Sequence, residues 1–285
     1  MKCWIAIALL GAPLPLAAQA VVSHAYRVLP TVSLRIWVPA GSIRVETWER
    51  DSIRVQGTTA KGTHFFGASG GGGAKFGVEN DDPAIESPAH GDLVVTVPRA
   101  AHVWIKMTDG QVVAAGTAGQ LDVITVTGSI AIQDAQGVVS VETIDANTTL
   151  TRATGDIRAR SGGGRITLAD IHGTLTAATV NGAIELTGSA LEDSRLETIG
   201  GPIAVRATVA PEALLDLETH SGAITLSLDR KALPVLDLSS RAGIVKNPLG
   251  AGSNSGGRIV ARSFKGSINV IAATGIEGRK PTAPP

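Results

Sequence analysis

The chain has 285 residues, and its 25 Lys plus Arg balance 25 Asp plus Glu. No broad electrostatic pull toward nucleic acid or an anionic membrane follows from a formal charge of zero, and the charges are dispersed without a basic run. Apolar residues make up 44% and aromatics 3%, so aliphatic side chains must build any core; the 34 glycines follow no G-X-Y pattern, which excludes collagen and points to short strands joined by tight turns.

Residues 1–20 differ from the rest. Met1-Lys2 gives a positive start, Cys3 to Ala18 is apolar, and Ala18-Gln19-Ala20 fits a small-residue cleavage site. This pattern predicts a secretory signal peptide cut after Ala20. Cys3 is the only cysteine, so the mature chain is expected to hold no disulfide, thiol nucleophile or Cys metal site. No later apolar stretch has the length of a spanning helix, and the predicted location is the periplasm, the cell surface or the medium.

From 21 to 105 the pattern is irregular. Gly41-Ser-Ile-Arg-Val45 and Asp51-Ser-Ile-Arg-Val55 read as a close pair of strands, as do Gly91-Asp-Leu-Val-Val95 and Val103-Trp-Ile105. Gly67–Gly73 lies between them. It has no Lys-Ser/Thr after it and is predicted to be a flexible surface loop rather than a phosphate cradle.

From 106 to 274 a unit Gly-x-apolar-x-apolar recurs every nine residues, as in Gly128-Ser-Ile-Ala-Ile132, Gly137-Val-Val-Ser-Val141, Gly155-Asp-Ile-Arg-Ala159 and Gly164-Arg-Ile-Thr-Leu168; Ala146 stands where one glycine is missing. The connectors alternate between Thr-Val/Ile-x and a looser kind, so the true period is two units. Coils are predicted at 106–123, 124–141, 142–159, 160–177, 178–196, 197–217, 218–238 and 239–260, with a last partial coil from Ala261. A strand alternates sides with period two. The third and fifth residues of each unit, such as Ile166 and Leu168, should therefore face a core. One unit cannot bury that row alone, whereas stacked coils can. The predicted fold is all-β: a single-stranded β-solenoid of about 18–22-residue coils with two strands per coil. Residues 275–285 are predicted to be a disordered tail.

Thr125, Thr143, Ser161, Thr179, Thr198, Thr219 and Ser240 form a second column, expected to satisfy corner backbone groups rather than to bind ice or sugar. Calcium nonapeptide repeats need a fixed Asp, and Gly162-Gly-Gly-Arg165 is only a partial match. Glu197 and Glu218 open successive coils in matching Leu-Glu-Thr contexts, with Glu142 in the same column further back. Such carboxylates could hold a cation or share a proton, although a solvated edge is the expected reading. Asp122, Asp145, Asp156 and Asp170 are scattered over other columns. His24, His64, His90, His102, His172 and His220 share no metal-ligand spacing. No catalytic, cofactor or metal site is assigned.

Three segments resemble a bacterial β-strand-repeat family of unknown function labelled "putative adhesin": Gly41-Ser-Ile-Arg-Val-Glu-Thr-Trp-Glu-Arg-Asp-Ser-Ile-Arg-Val55, Val95-Thr-Val-Pro-Arg99, and the repeated Thr-Val-x-Gly-x-Ile-x-Leu. The resemblance covers about 30–275 of the chain. It implies export and a solenoid fold and brings no catalytic residues. The expected function is a non-enzymatic surface or envelope binding module whose partner is a glycan or a protein. Alternatives are a scaffold that self-associates through its ends and a carbohydrate-active enzyme using Glu197 and Glu218.

Overall fold

The computed structural model describes residues 19–273, apart from 71, 231, 251 and 253–256. The predicted leader, apart from Gln19 and Ala20, and the predicted tail lie outside the described residues. Twenty strands belong to one hydrogen-bonded system, and no helix occurs among the described residues.

The repeat sets the strand register. Leu121 faces Val139, Val139 faces Ile157 and Ile157 faces Leu175, a step of 18 residues at each parallel pairing. The step then widens to 19 at Ile184–Ile203 and to 21 at Ile203–Ile224. Strands fall into two ladders. One contains β8 (Gln120–Thr125), β10 (Gln136–Thr143) and the later parts of β11 (Asn147–Ser161), β12 (Ile166–Thr179) and β13 (Ile184–Thr198), then β15 (Leu214–Thr219). The other contains β9 (Thr127–Gln133), the early parts of β11 to β13, β14 (Ile203–Val209) and β16 (Ile224–Leu228).

The alternation places the core as expected. Ile130, Ile166, Ile184, Ile203, Ile224 and Ile268 stack in one buried file, and Ile132, Leu150, Leu168, Leu186, Val205 and Leu226 in another. Burial of such files at roughly 25 cal/mol per Å² is the main stabilising term. Glycine is required where successive parallel strands approach most closely at their starts: a Cβ on Gly182 would lie 2.0 Å from the Gly164 carbonyl oxygen. Gly128 has in addition a φ of 105°, which L side chains rarely adopt.

Both ends depart from simple succession. At the C-terminus, coil 239–260 was expected to follow coil 218–238, with the final segment stacked last. Instead β19 (Arg258–Ser263) pairs with β15 on one side and β17 (Val235–Ser240) on the other. Likewise β20 (Ile268–Ala272) lies between β16 and β18 (Val245–Lys246). The last strands are therefore inserted beneath the preceding coil. Their composition explains the order: Ile259, Ala261, Ile268 and Val270 are buried from both sides, whereas Val235 and Leu236 are only partly covered and Val245 is exposed.

At the N-terminus, β2 (Ser33–Trp48) pairs with β7 (His102–Ala115) on one side and with β5 (Gly73–Asn80) and β6 (His90–Pro98) on the other. The two expected strand pairs are thus interleaved. β6 lies between β2 and β3 (Ser52–Thr59), and β2 lies between β6 and β7. β1 (Ala20–Arg27) runs antiparallel along β3. The regular ladder therefore begins at β2, well before residue 106.

The glycine-rich segment is not a loop. It ends β4 (Thr63–Gly70), turns, and opens β5 in an antiparallel hairpin. Ring packing selects glycine there: a Cβ on Gly67 would come within 3.0 Å of Tyr26, Phe76 and Phe65.

Candidate binding surfaces

The hydroxyl column points inward. The hydroxyl oxygens of Thr179, Thr198, Thr219, Ser240 and Ser263 each accept a hydrogen bond from the backbone amide three residues on, at 2.8 to 3.0 Å. Thr143 does the same for Ala146. These groups close the corner and are unavailable to ice or sugar.

The residue after each hydroxyl points outward. It forms a file of Val126, Ile144, Gly162, Val180, Ile199, His220, Phe264 and Arg241 in stacking order. Ile144 is 63% exposed and Ile199 54%. At roughly 4.8 Å per coil the ridge is about 34 Å long. Its far end is aromatic: His220 stacks on Phe264 at 4.9 Å, and the Arg241 guanidinium lies 5.2 Å from the Phe264 ring. Sequence reasoning assigned this file no role. The signal was present in the connector, where an apolar residue follows the inward Thr, out of phase with the strand alternation.

Glu197 and Glu218 do come together, opposite one another in adjacent strands. They border a groove of about 540 Å³ that His220, Arg241, Arg262 and Phe264 also line. The Arg195 guanidinium reaches both carboxylates, Glu197 at 3.3 Å and Glu218 at 3.1 Å, and approaches Asp216 at 4.0 Å. Arg262 contacts Asp216 from the next strand at 3.5 Å. The cation that two stacked carboxylates attract is thus supplied by the chain itself. Glu142 is separated from the pair by Arg160 and Ala178 in the same file.

The other candidates stay apart. Asp156 pairs with Arg158 at 2.7 Å, and Asp122 with His102 at 2.7 Å. Asp145 lies beside Gly163, and Asp170 beside Gly188. His64 sits between Glu79 and Asp81, His90 lies 3.7 Å from Asp92, His24 stacks on Phe65, and His172 is exposed. No group of three such ligands forms among the described residues. Gly162–Gly164 forms a tight corner, and Arg165 pairs with Glu185.

Asp134, Arg152 and Asp170 occupy successive positions of one turn, each with φ near 55°. A bidentate contact with Arg152 holds the Asp134 carboxyl below its usual range, and the same contact raises Arg152.

No family model matches the sequence, and no curated protein does either. Among solved structures, the chain is similar to one from Parabacteroides merdae described as a putative adhesin, with TM-score 0.53 and 13% identity over 88% of this chain and 96% of that one. The two chains share a fold. Putative adhesins from Parabacteroides distasonis and Bacteroides fragilis align over 90% of this chain, at 12% and 15% identity and TM-scores of 0.46 and 0.43. No helix among the described residues is long and apolar enough to cross a membrane.

Proposed function

We propose that this protein is an exported, non-enzymatic β-solenoid that binds a component of a cell surface or envelope. Residues 1–20 act as its signal peptide, and the two strand ladders are the two sides of the coil. The observation that carries this reading is the ridge from Val126 to Phe264. Scattered exposed aliphatics are ordinary, whereas Val126, Ile144, Val180, Ile199 and Phe264 share one file, broken only by Gly162 and His220, and such clustering marks an interaction surface. A partner covering it would gain the hydrophobic term that water now denies. The similarity to a fold described as a putative adhesin supports the same reading.

Two observations weigh against the alternatives. Acid–base chemistry at Glu197 and Glu218 needs carboxylates free to exchange protons, and Arg195 occupies both. Self-assembly through the C-terminal edge would use β17 and β18, but Pro234, Lys246 and Pro248 guard that edge. Retention of the purified protein on cell-envelope fractions tests the proposal. Retention is expected and should fall at least tenfold in the Ile144→Asp, Ile199→Asp double variant. Equal retention of variant and parent would remove the ridge as the binding face.

A further inference from the structure

A second surface lies at the other end of the molecule, on the outward side of β5, β2 and β7. Arg35 of β2 stands between Lys75 of β5 and Trp104 of β7, while Trp37 stands between Gly77 and Lys106. A cation thus faces an indole in both cross-strand pairs of β2 and β7. Trp37 is 44% exposed, and the side chains surround a shallow pocket of about 220 Å³ with Phe76 at its floor. Arg35 and Lys75 continue into a neighbouring groove of about 560 Å³ lined by Ser33, Ser69 and Gly73.

Charge on this patch is one-sided. Among the described residues, no carboxylate lies within ion-pair distance of Arg35, Lys75 or Lys106. The face carries two carboxylates, and both are engaged: Asp122, opposite Trp104, is held by His102 at 2.7 Å and Gln120 at 2.9 Å, and Glu79, two residues beyond Gly77 on β5, lies 3.2 Å from His64. Lys75 also lies 5.5 Å from the Phe66 ring, which passes over Gly77. A molecule of zero formal charge has gathered three uncompensated cations around one exposed indole, Trp37, and one half-buried, Trp104.

We infer that this patch is a binding site for an acidic polysaccharide. A flat indole buries the apolar face of a sugar ring at little conformational cost. A guanidinium and two ammonium groups beside it match the carboxylates of uronate units. The pocket runs on into the neighbouring groove past Arg35 and Lys75, which suits one side of an extended chain rather than a single small molecule. The strand spacing of about 4.8 Å and the two-residue spacing along a strand of about 6.8 Å put successive groups at the scale of a sugar residue. The inference goes beyond the surface-binding reading above: it assigns a second surface, distinct from the ridge, with a ligand class of its own.

Polygalacturonate is the probe, with neutral dextran and phosphatidylglycerol vesicles as controls, measured by co-sedimentation or calorimetry with the purified protein. Binding of polygalacturonate alone is expected, weakening steeply as salt rises from 50 mM to 500 mM, roughly where the Debye length falls below the size of the patch. Lys75→Gln with Lys106→Gln, and separately Trp104→Ala, should each weaken it at least tenfold, whereas the Ile144→Asp, Ile199→Asp variant should bind as the parent does. Circular dichroism identifies any variant that fails to fold, and the Lys→Gln pair, exposed and nearly isosteric, keeps the test available. No binding of polygalacturonate, equal binding by the patch variants, or preference for dextran or vesicles would each overturn the inference. If the parent still adheres to envelope fractions in those cases, the surface-binding reading survives without this site; if it adheres to nothing, both fall.

Discussion

Two inward hydroxyls that look alike in sequence differ in what they do. Thr148 stands in the file of Ile130 and Ile166, and its buried Oγ1 has no hydrogen-bond partner. Thr198 accepts from the buried Gly201 amide at 3.0 Å. The same isosteric change should therefore have opposite signs. Thr148→Val removes an unpaired buried polar group and should raise stability by about 1 kcal/mol. Thr198→Val orphans an amide and should lower it by about 1–3 kcal/mol. Urea unfolding midpoints of the two variants check both. Ser161, whose buried Oγ is also unpaired, is a member of the hydroxyl column that does not make the corner hydrogen bond of its neighbours.

The Asp134–Arg152 pair adds a small pH dependence. Asp134 has its pKa lowered by Arg152, so its contribution is present above the ordinary carboxylate range and fades as pH falls through the lowered value. Both side chains are about half exposed, so solvent screening keeps the effect small. Asp134→Asn should leave acid stability near pH 2 unchanged and cost a little at pH 7. An equal loss at both pH values would show that the residue acts through its turn conformation instead.

At the scale of elements, insertion at the C-terminus makes a specific demand on local stability. β19 and β20 are covered on two edges, whereas β17 and β18 are covered on one. Native-state hydrogen exchange should therefore protect 258–263 and 268–272 better than 235–240 and 245–246, although the former lie nearer the chain end. Protection that declines steadily toward the C-terminus would contradict the pairing.

The same comparison shows what the sequence could reveal. Coil registers up to Ile224 were legible because period-two burial and a steric need for glycine repeat at every level. The inserted ends were not, because local pattern says which residues face inward and not which strand lies next to which. Ile259 and Ile268 would satisfy the apolar rule in either order. The glycine-rich hairpin was missed for a similar reason: Gly67 answers to three distant rings, a tertiary demand with no local signature. Among the site residues, the pairing of Glu197 with Glu218 followed from register alone. Arg195, two positions before Glu197, reaches both carboxylates through side-chain geometry that has no signature in the sequence.

At the scale of the whole molecule, the account joins a continuous aliphatic core to two outward surfaces of different chemistry. The apolar ridge follows one corner of the coils, and the cation–indole patch occupies one strand face near the N-terminal end. Both are open, and the paired carboxylates that share a groove with the ridge's far end are held by arginine. On the proposed function, such a molecule holds a partner without changing it. The most direct test passes isolated envelope polysaccharide over immobilised protein while soluble fragments are quantified in the effluent. The account predicts retention of the polysaccharide with no fragment released. Fragment release that disappears in a Glu197→Gln, Glu218→Gln variant would contradict it and make the carboxylate groove an active site.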